Sequence, residues 1–147
     1  MNVKTRYFGD IEIPETDVIH FPEGILGFPH SRRFALITIE ENPYLKALQD
    51  VDNEHLSFLM IRPWDFFEDY EADISDGDLQ QIGITDENME NFTLHSIVTV
   101  GQSMADSTAN LVAPIVINHK NNTGGQFVLD TQAYGTKHRL QREGEGE

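Results

Sequence analysis

The six histidines, His20, His30, His55, His95, His119 and His138, are the residues most able to do chemistry in a chain that has no cysteine. They are scattered, and no pair has the i,i+4 spacing that builds a helical zinc site. Without cysteine there are no disulfides, thiolate nucleophiles, zinc-cysteine centres or iron-sulfur clusters. Asp73, Asp76 and Asp78 surround Gly77 in the manner of a calcium loop, but setting Gly77 at that loop's required glycine puts Ala72 at the first ligand position. That match fails. The sequence has no G-x-S-x-G elbow, no phosphate-binding G-x-x-x-x-G-K-[ST] loop and no G-x-G-x-x-G turn. A Ser-His-Asp triad is assembled in space and leaves no trace in spacing, and with 25 acidic residues no carboxylate pair stands out for acid-base work. A metal site is not expected, and nothing in these patterns calls for a phosphate or dinucleotide cofactor.

Charge says more. The 147 residues carry 10 Lys+Arg against 25 Asp+Glu, a net charge of −15. Between Glu40 and Glu90 fifteen acids face only Lys46 and Arg62, so −13 of the total is concentrated there. From Asp65 to Glu90 there are ten acids and no base. Such a field repels phosphate backbones and excludes direct nucleic-acid binding in the absence of a basic patch. Two readings remain for the acidic segment: a docking surface for a basic protein, or a solvated face.

The elements that would position these residues read as mainly β. Val3 to Phe8, Ile11 to Ile13 and Val18 to Phe21 are strand-like and separated by turn chemistry. Phe34 to Ile39 and Leu56 to Ile61 are nearly continuous apolar runs, as in strands covered on both faces. Between them Asn42-Pro43, with Tyr44, Leu45 and Leu48 on one face, predicts a short helix. Ser75 with Asp78 resembles a capping box ahead of Leu79 and Ile82, and Thr85 predicts a second turn carrying Met89 and Phe92. Strands are predicted again at Leu94 to Val100, Asn110 to Asn118 and Gln126 to Asp130, the last two joined by a loop ending in Thr123-Gly124-Gly125. Pro114 inside the penultimate strand places that strand at an edge or gives it a bulge. The whole predicts a single-domain antiparallel β-barrel-like fold with a few short helices over residues 1–141, followed by a disordered acidic tail over 142–147. No apolar run approaches the roughly 20 residues that span a bilayer, and the start has no signal-peptide pattern, which predicts a cytoplasmic protein without membrane contact.

Three segments stand apart. Phe21 to Pro29 combines two glycines, two prolines and two phenylalanines, so it reads as a rigid turn in which Gly24 and Gly27 take backbone conformations costly for other residues. Arg62 to Tyr70 places four aromatics among acids directly after a buried strand. Asn110 to Asn118 is an apolar strand flanked by amides.

In this order those segments resemble the flagellar assembly factor FliW family of bacteria. The resemblance runs from Tyr7-Phe8-Gly9 through Phe21 to Phe28, Leu48-Gln49 with Asp52, Leu56 and Phe58, then Pro63, Asp69-Tyr70, Asn110 to Asn118, Gln126, and Tyr134 with Lys137-His138 and Leu140. It covers essentially the whole chain. The family usually has a proline inside the glycine-rich turn, where this chain has Leu26. The resemblance implies a barrel-like fold without catalysis and two protein partners: the RNA-binding translational repressor CsrA, and flagellin. It implies that binding CsrA relieves repression of flagellin translation, that new flagellin captures the factor again, and that the antagonism is allosteric. On this view Asp65, Glu68, Asp69, Glu71 and Asp73 bind CsrA with Tyr70 as an aromatic anchor, while Leu111, Val112, Pro114 and Val116 form an open edge for flagellin. The free protein is expected to be a monomer. The alternatives are a chaperone acting on flagellin alone and a small β-barrel hydrolase.

Overall fold

The computed structural model describes residues 1–85 and 91–140. A hairpin comes first, β1 (Asn2–Thr5) with β2 (Gly9–Glu12), and Val3 is buried beneath it. The remaining strands are β3 (Ile19–His20), β4 (Arg33–Thr38), β5 (Leu45–Asp50), β6 (Ser57–Ile61), β7 (Phe92–Thr99), β8 (Thr108–Ala109), β9 (Ile115–Asn118), β10 (Thr123–Gln126) and β11 (His138–Arg139). Among the described residues one α-helix forms, α1 (Asp76–Gln81), with 3-10 turns at Glu15–Asp17 and Pro63–Asp65. Pairing runs β3-β4-β5-β6-β7-β9-β10 and returns to β3, so seven strands close a barrel. Every pairing is antiparallel except the β3–β10 seam, where His20 meets Thr123 in parallel. Closure removes the sheet edges that would otherwise be open to other chains.

Because side chains alternate across a strand, the wall has two apolar faces. Phe21, Phe34, Leu48, Met60, Ile115 and Ile117 fill the barrel interior. Ile61, Leu94, Val98 and Val116 face outward and are covered by the connections over 63–84 and 127–140, which supply Tyr70, Leu79, Ile82, Phe127, Leu129 and Leu140. This outer layer explains why the runs in β6 and β9 read as apolar on both faces.

Three local expectations are corrected, and a fourth lies largely outside the described residues. Residues after Asn42-Pro43 form strand β5, not a helix: the Asn42 side chain accepts from Tyr44 N (3.0 Å) and its carbonyl from Leu45 N (3.1 Å), closing a turn that delivers Leu45–Asp50 between β4 and β6. Ladder partners on both sides outweigh a weak helical spacing. The Thr85 turn falls largely on 86–90, outside the described residues, and its Phe92 opens strand β7. The Asn110 to Asn118 run is regular only over Ile115–Asn118. Ala109 lies opposite Val98 and Ile115 opposite His95 on β7, so the intervening residues bulge out; Asn110 Oδ1 accepts from Ala113 N (3.0 Å), and Pro114, with no N–H, stands just before the ladder resumes. Finally, Thr123-Gly124-Gly125 belong to β10, and the turn precedes them with Asn122 at φ 51°. A Cβ on Gly124 would lie 2.6 Å from the Phe21 ring, so these glycines are where the wall admits aromatic rings.

Candidate docking surfaces

The acidic connection is fastened to the barrel by its aromatics. After β6, Trp64 Nε1 donates to the Tyr70 carbonyl (2.9 Å), the Tyr70 hydroxyl donates to the Leu111 carbonyl (2.7 Å), and the Tyr134 hydroxyl accepts from Glu71 N (2.9 Å). The Tyr70 ring lies between Trp64 and Tyr134, with centroids 5.7 and 4.9 Å away. Burial pushes the Tyr70 phenol well above its ordinary pKa, with Tyr134 adding to the shift. Over 69–74 the chain then alternates, with Tyr70, Ala72 and Ile74 turned inward and Asp69, Glu71 and Asp73 exposed. Glu68 and Asp76 are exposed beside them. Asp65 is only half-buried and is held by Arg62 at 3.0 Å. Asp69, Glu71 and Asp73 have no salt bridge among the described residues. At the end of this stretch the Ser75 hydroxyl accepts from Asp78 N (3.1 Å), capping α1 as the sequence suggests.

Tyr70 therefore cannot serve as an exposed anchor: it is 4% accessible and belongs to the outer core. The open edge expected at Leu111, Val112, Pro114 and Val116 is also corrected. Leu111 and Val116 are 1% and 0% exposed, Pro114 is buried, and Val112 is half-buried. Strand β9 pairs on both sides, and the bulge carbonyls of Val112 and Pro114 accept from Leu129 N (2.7 Å) and Phe127 N (3.1 Å). Of the two alternatives that Pro114 left, the bulge is present and the edge is not.

The glycine-rich turn joins β3 to β4. Gly24 has φ 69° and Gly27 φ 86°, and a Cβ on Gly24 would stand 2.6 to 2.8 Å from the Phe28 and Pro29 backbone. Leu26 N donates to Gln126 Oε1 (2.9 Å), a bond that a proline at this position has no N–H to make. Leu26 and Phe28 leave much of their side chains exposed.

One group was missed in the sequence. The Thr93 hydroxyl lies 2.8 Å from His95 Nε2 and 2.7 Å from His119 Nε2. The two histidines are far apart in sequence and meet because Phe92 pairs with Asn118 across β7 and β9. Only the ladder register carries that signal. Burial lowers the pKa of His95 to about 4, with the Lys46 charge and His119 adding to the shift, and His119 is lowered by burial and by Lys46. No group of three or more metal-ligating side chains occurs among the described residues.

The described residues define a closed β-barrel wrapped by an acidic connection that aromatic side chains fasten to it. The FliW protein family model matches residues 2–140. The flagellar assembly factor FliW of Geobacillus thermodenitrificans is 43% identical over 140 residues, covering 95% of each chain, and that of Bacillus subtilis is 36% identical over 138 residues, covering 94% of this chain and 95% of the relative. A crystal structure of the flagellar assembly factor FliW superposes with a TM-score of 0.89 at 41% identity, covering 98% of this chain and 99% of that one. The chain belongs to the FliW family. Its relatives are named as assembly factors, in keeping with a role other than catalysis, and no helix among the described residues is long and apolar enough to cross a membrane.

Proposed function

We propose that this chain is a cytoplasmic, non-enzymatic antagonist of the translational repressor CsrA, that it also binds flagellin, and that exchange between the two partners couples flagellin synthesis to assembly. The observation that carries the reading is the row Glu68, Asp69, Glu71 and Asp73, exposed together and continued by Asp65 at its edge. An RNA-binding repressor must present basic surface to phosphates, and a carboxylate row attracts that surface while repelling RNA from the complex. Because Asp69, Glu71 and Asp73 are not engaged by bases of the described chain, a partner's Lys and Arg meet carboxylates with no internal bond to break. Tyr70 supports this row from below by fixing its alternation.

Flagellin is proposed as a second partner without the residue set Leu111, Pro114 and Val116, whose burial leaves Val112 alone near the surface. If the two partners are exchanged, each weakens the other's binding by the same factor. Titrating the preformed complex with CsrA against flagellin tests the exchange: release or weakening of CsrA is expected, and a ternary complex with unaltered affinities for both would contradict it.

A further inference from the structure

Three clefts of similar size open on the surface, and their linings separate them. One, beside the glycine-rich turn, is lined by Glu23 and Asp78. A second, between the diverging ends of β6 and β7, is walled by Tyr7, Phe58, Leu59, Val98 and Val100 without a charged group. The third, about 580 Å³, lies at the end of the barrel where β5 and β7 begin and β6 ends, and it combines apolar walls with a concentration of nitrogen donors. Leu36, Met60, Tyr44, Trp64 and Phe92 provide the apolar surface, and Lys46, Arg62, Thr93, His95 and His119 provide the polar groups. The volume falls within the range of small-molecule sites, and apolar walls with a few convergent polar groups are their usual chemistry.

The charges are of one sign apart from Asp65, which is held by Arg62 at 3.0 Å. Lys46 sits opposite the fully buried Met60 in the β5–β6 ladder, so it points to the interior side of the wall, and it has no salt bridge among the described residues. In a chain with 25 acids and 10 Lys+Arg, a lysine without a salt bridge whose charge bears on two histidines beside a cavity is a place for an anion to complete. We propose that this end of the barrel binds a small organic anion, a carboxylate or phosphate monoester carried on an apolar body, with its charge against Lys46, His119 and Thr93 and its body against Trp64, Tyr44 and Leu36. The proposal rests on neither the CsrA nor the flagellin contact proposed above, although Asp65, which lines the cavity, also borders the CsrA row.

The Thr93 hydroxyl gives the site a protonation logic. It has one proton and lies between two Nε2 atoms, so with both rings neutral it donates to one ring and accepts from the other. When both rings are protonated, both donate to its oxygen, and the hydroxyl proton is released to donate to the ligand. The groups facing the site that titrate or carry charge are Lys46, His95, His119, Arg62, Asp65 and Tyr44. Burial, with Lys46 adding to it, holds the histidines below their ordinary pKa, and a bound anion offsets the Lys46 contribution and raises them in part. Binding therefore takes up protons and strengthens as pH falls.

Trp64 is the sole tryptophan and lines the cavity, so its fluorescence reports occupancy. The full chain is titrated with phenyl phosphate, phenylacetate and the neutral phenylacetamide, at pH 8 and pH 6. A saturable Trp64 change is expected with at least one anion, about tenfold tighter than with phenylacetamide and tighter at pH 6; the tighter of the two anions identifies the headgroup. Lys46→Met should weaken anion binding about tenfold and leave phenylacetamide unaffected. His119→Gln, at an exposed position beyond the end of β9, should reduce the pH dependence even if Lys46→Met folds poorly. No saturable change with either anion up to about 10 mM, equal binding of phenylacetamide, or unaltered binding and pH dependence in the variants would overturn the proposal.

Discussion

The two ends of the barrel are built from the same strands and solve the polar-group problem in opposite ways. At the end holding the glycine-rich turn, polar side chains find donors and acceptors within the chain, although the buried Gln49 Oε1 is left without a partner. Gln49, fully buried, donates through Nε2 to the carbonyls of Asp50, Asn53 and Leu56 at 3.0 to 3.1 Å; Ser31 donates to Asp50; and Arg33 grips Asp52 at 2.6 and 3.0 Å. Phe28 packs edge-on against Phe58, and Phe21 against Phe34. At the other end two histidines share one threonine hydroxyl beside a cavity that Lys46 also lines. The first end is organised for rigidity. The second holds unbalanced positive charge in an acidic protein, an arrangement that makes sense for binding and not for stability.

Breaking the rigid end should have the largest effect. Gly24→Ala combines positive φ with contact to backbone atoms that cannot yield, and should destabilise the fold by about 3 kcal/mol, lowering Tm by roughly 6–12 °C for a domain of this size. Gly27→Ala, where a Cβ meets open space, should lose only about 1 kcal/mol through φ alone. Thermal unfolding of the pair separates contact from conformation, and equal losses would show that the close approach at Gly24 is not what holds the turn.

The cationic end should reveal itself by pH. Because His95 has a folded pKa of about 4, the unfolded chain takes up a proton below its ordinary value of about 6.5 that the folded chain does not accept. Stability is therefore lost as pH falls from 6.5 towards 4, by about 2 kcal/mol at pH 5. His95→Gln should remove that part of the pH dependence in urea unfolding at pH 7 and pH 5, and an unchanged slope would place the ring in a wetter setting.

The smallest effect belongs to the surface pair at the rigid end. Hydrogen bonding to Arg33 lowers the Asp52 pKa, so the pair contributes above the ordinary aspartate value of about 4 and is lost as pH falls through the lowered folded value. Both side chains are substantially exposed, which limits Asp52→Asn to about 0.5 kcal/mol at pH 7. A loss of several kcal/mol would mean that the rigid end depends on charge more than on packing.

This contrast also marks what the sequence could disclose. The β class, the capped helix at Ser75, the positive-φ role of Gly24 and the acidic concentration are local patterns, and each was readable. What escaped reading depends on closure. Asn42-Pro43 looked like a helix start because nothing local reports that β4 and β6 flank the residues that follow. Pro114 looked compatible with an edge because the covering segment at Phe127 and Leu129 follows β10. Tyr70 looked like an anchor because its hydrogen bond to Leu111 spans the outer core. His95 and His119 became a pair only through the β7–β9 register.

The central functional claim is that the exposed carboxylate row steers a basic repressor to this barrel. The direct measurement is the association rate with CsrA, followed from low to high salt, for the native chain and for Asp69→Lys, Glu71→Lys and Asp73→Lys combined, with circular dichroism to confirm the fold. Steering predicts an association rate about tenfold slower at low salt and a much flatter salt dependence, with the two proteins converging at high salt. An association rate and salt dependence identical to those of the native chain would contradict it and remove this row from the interface.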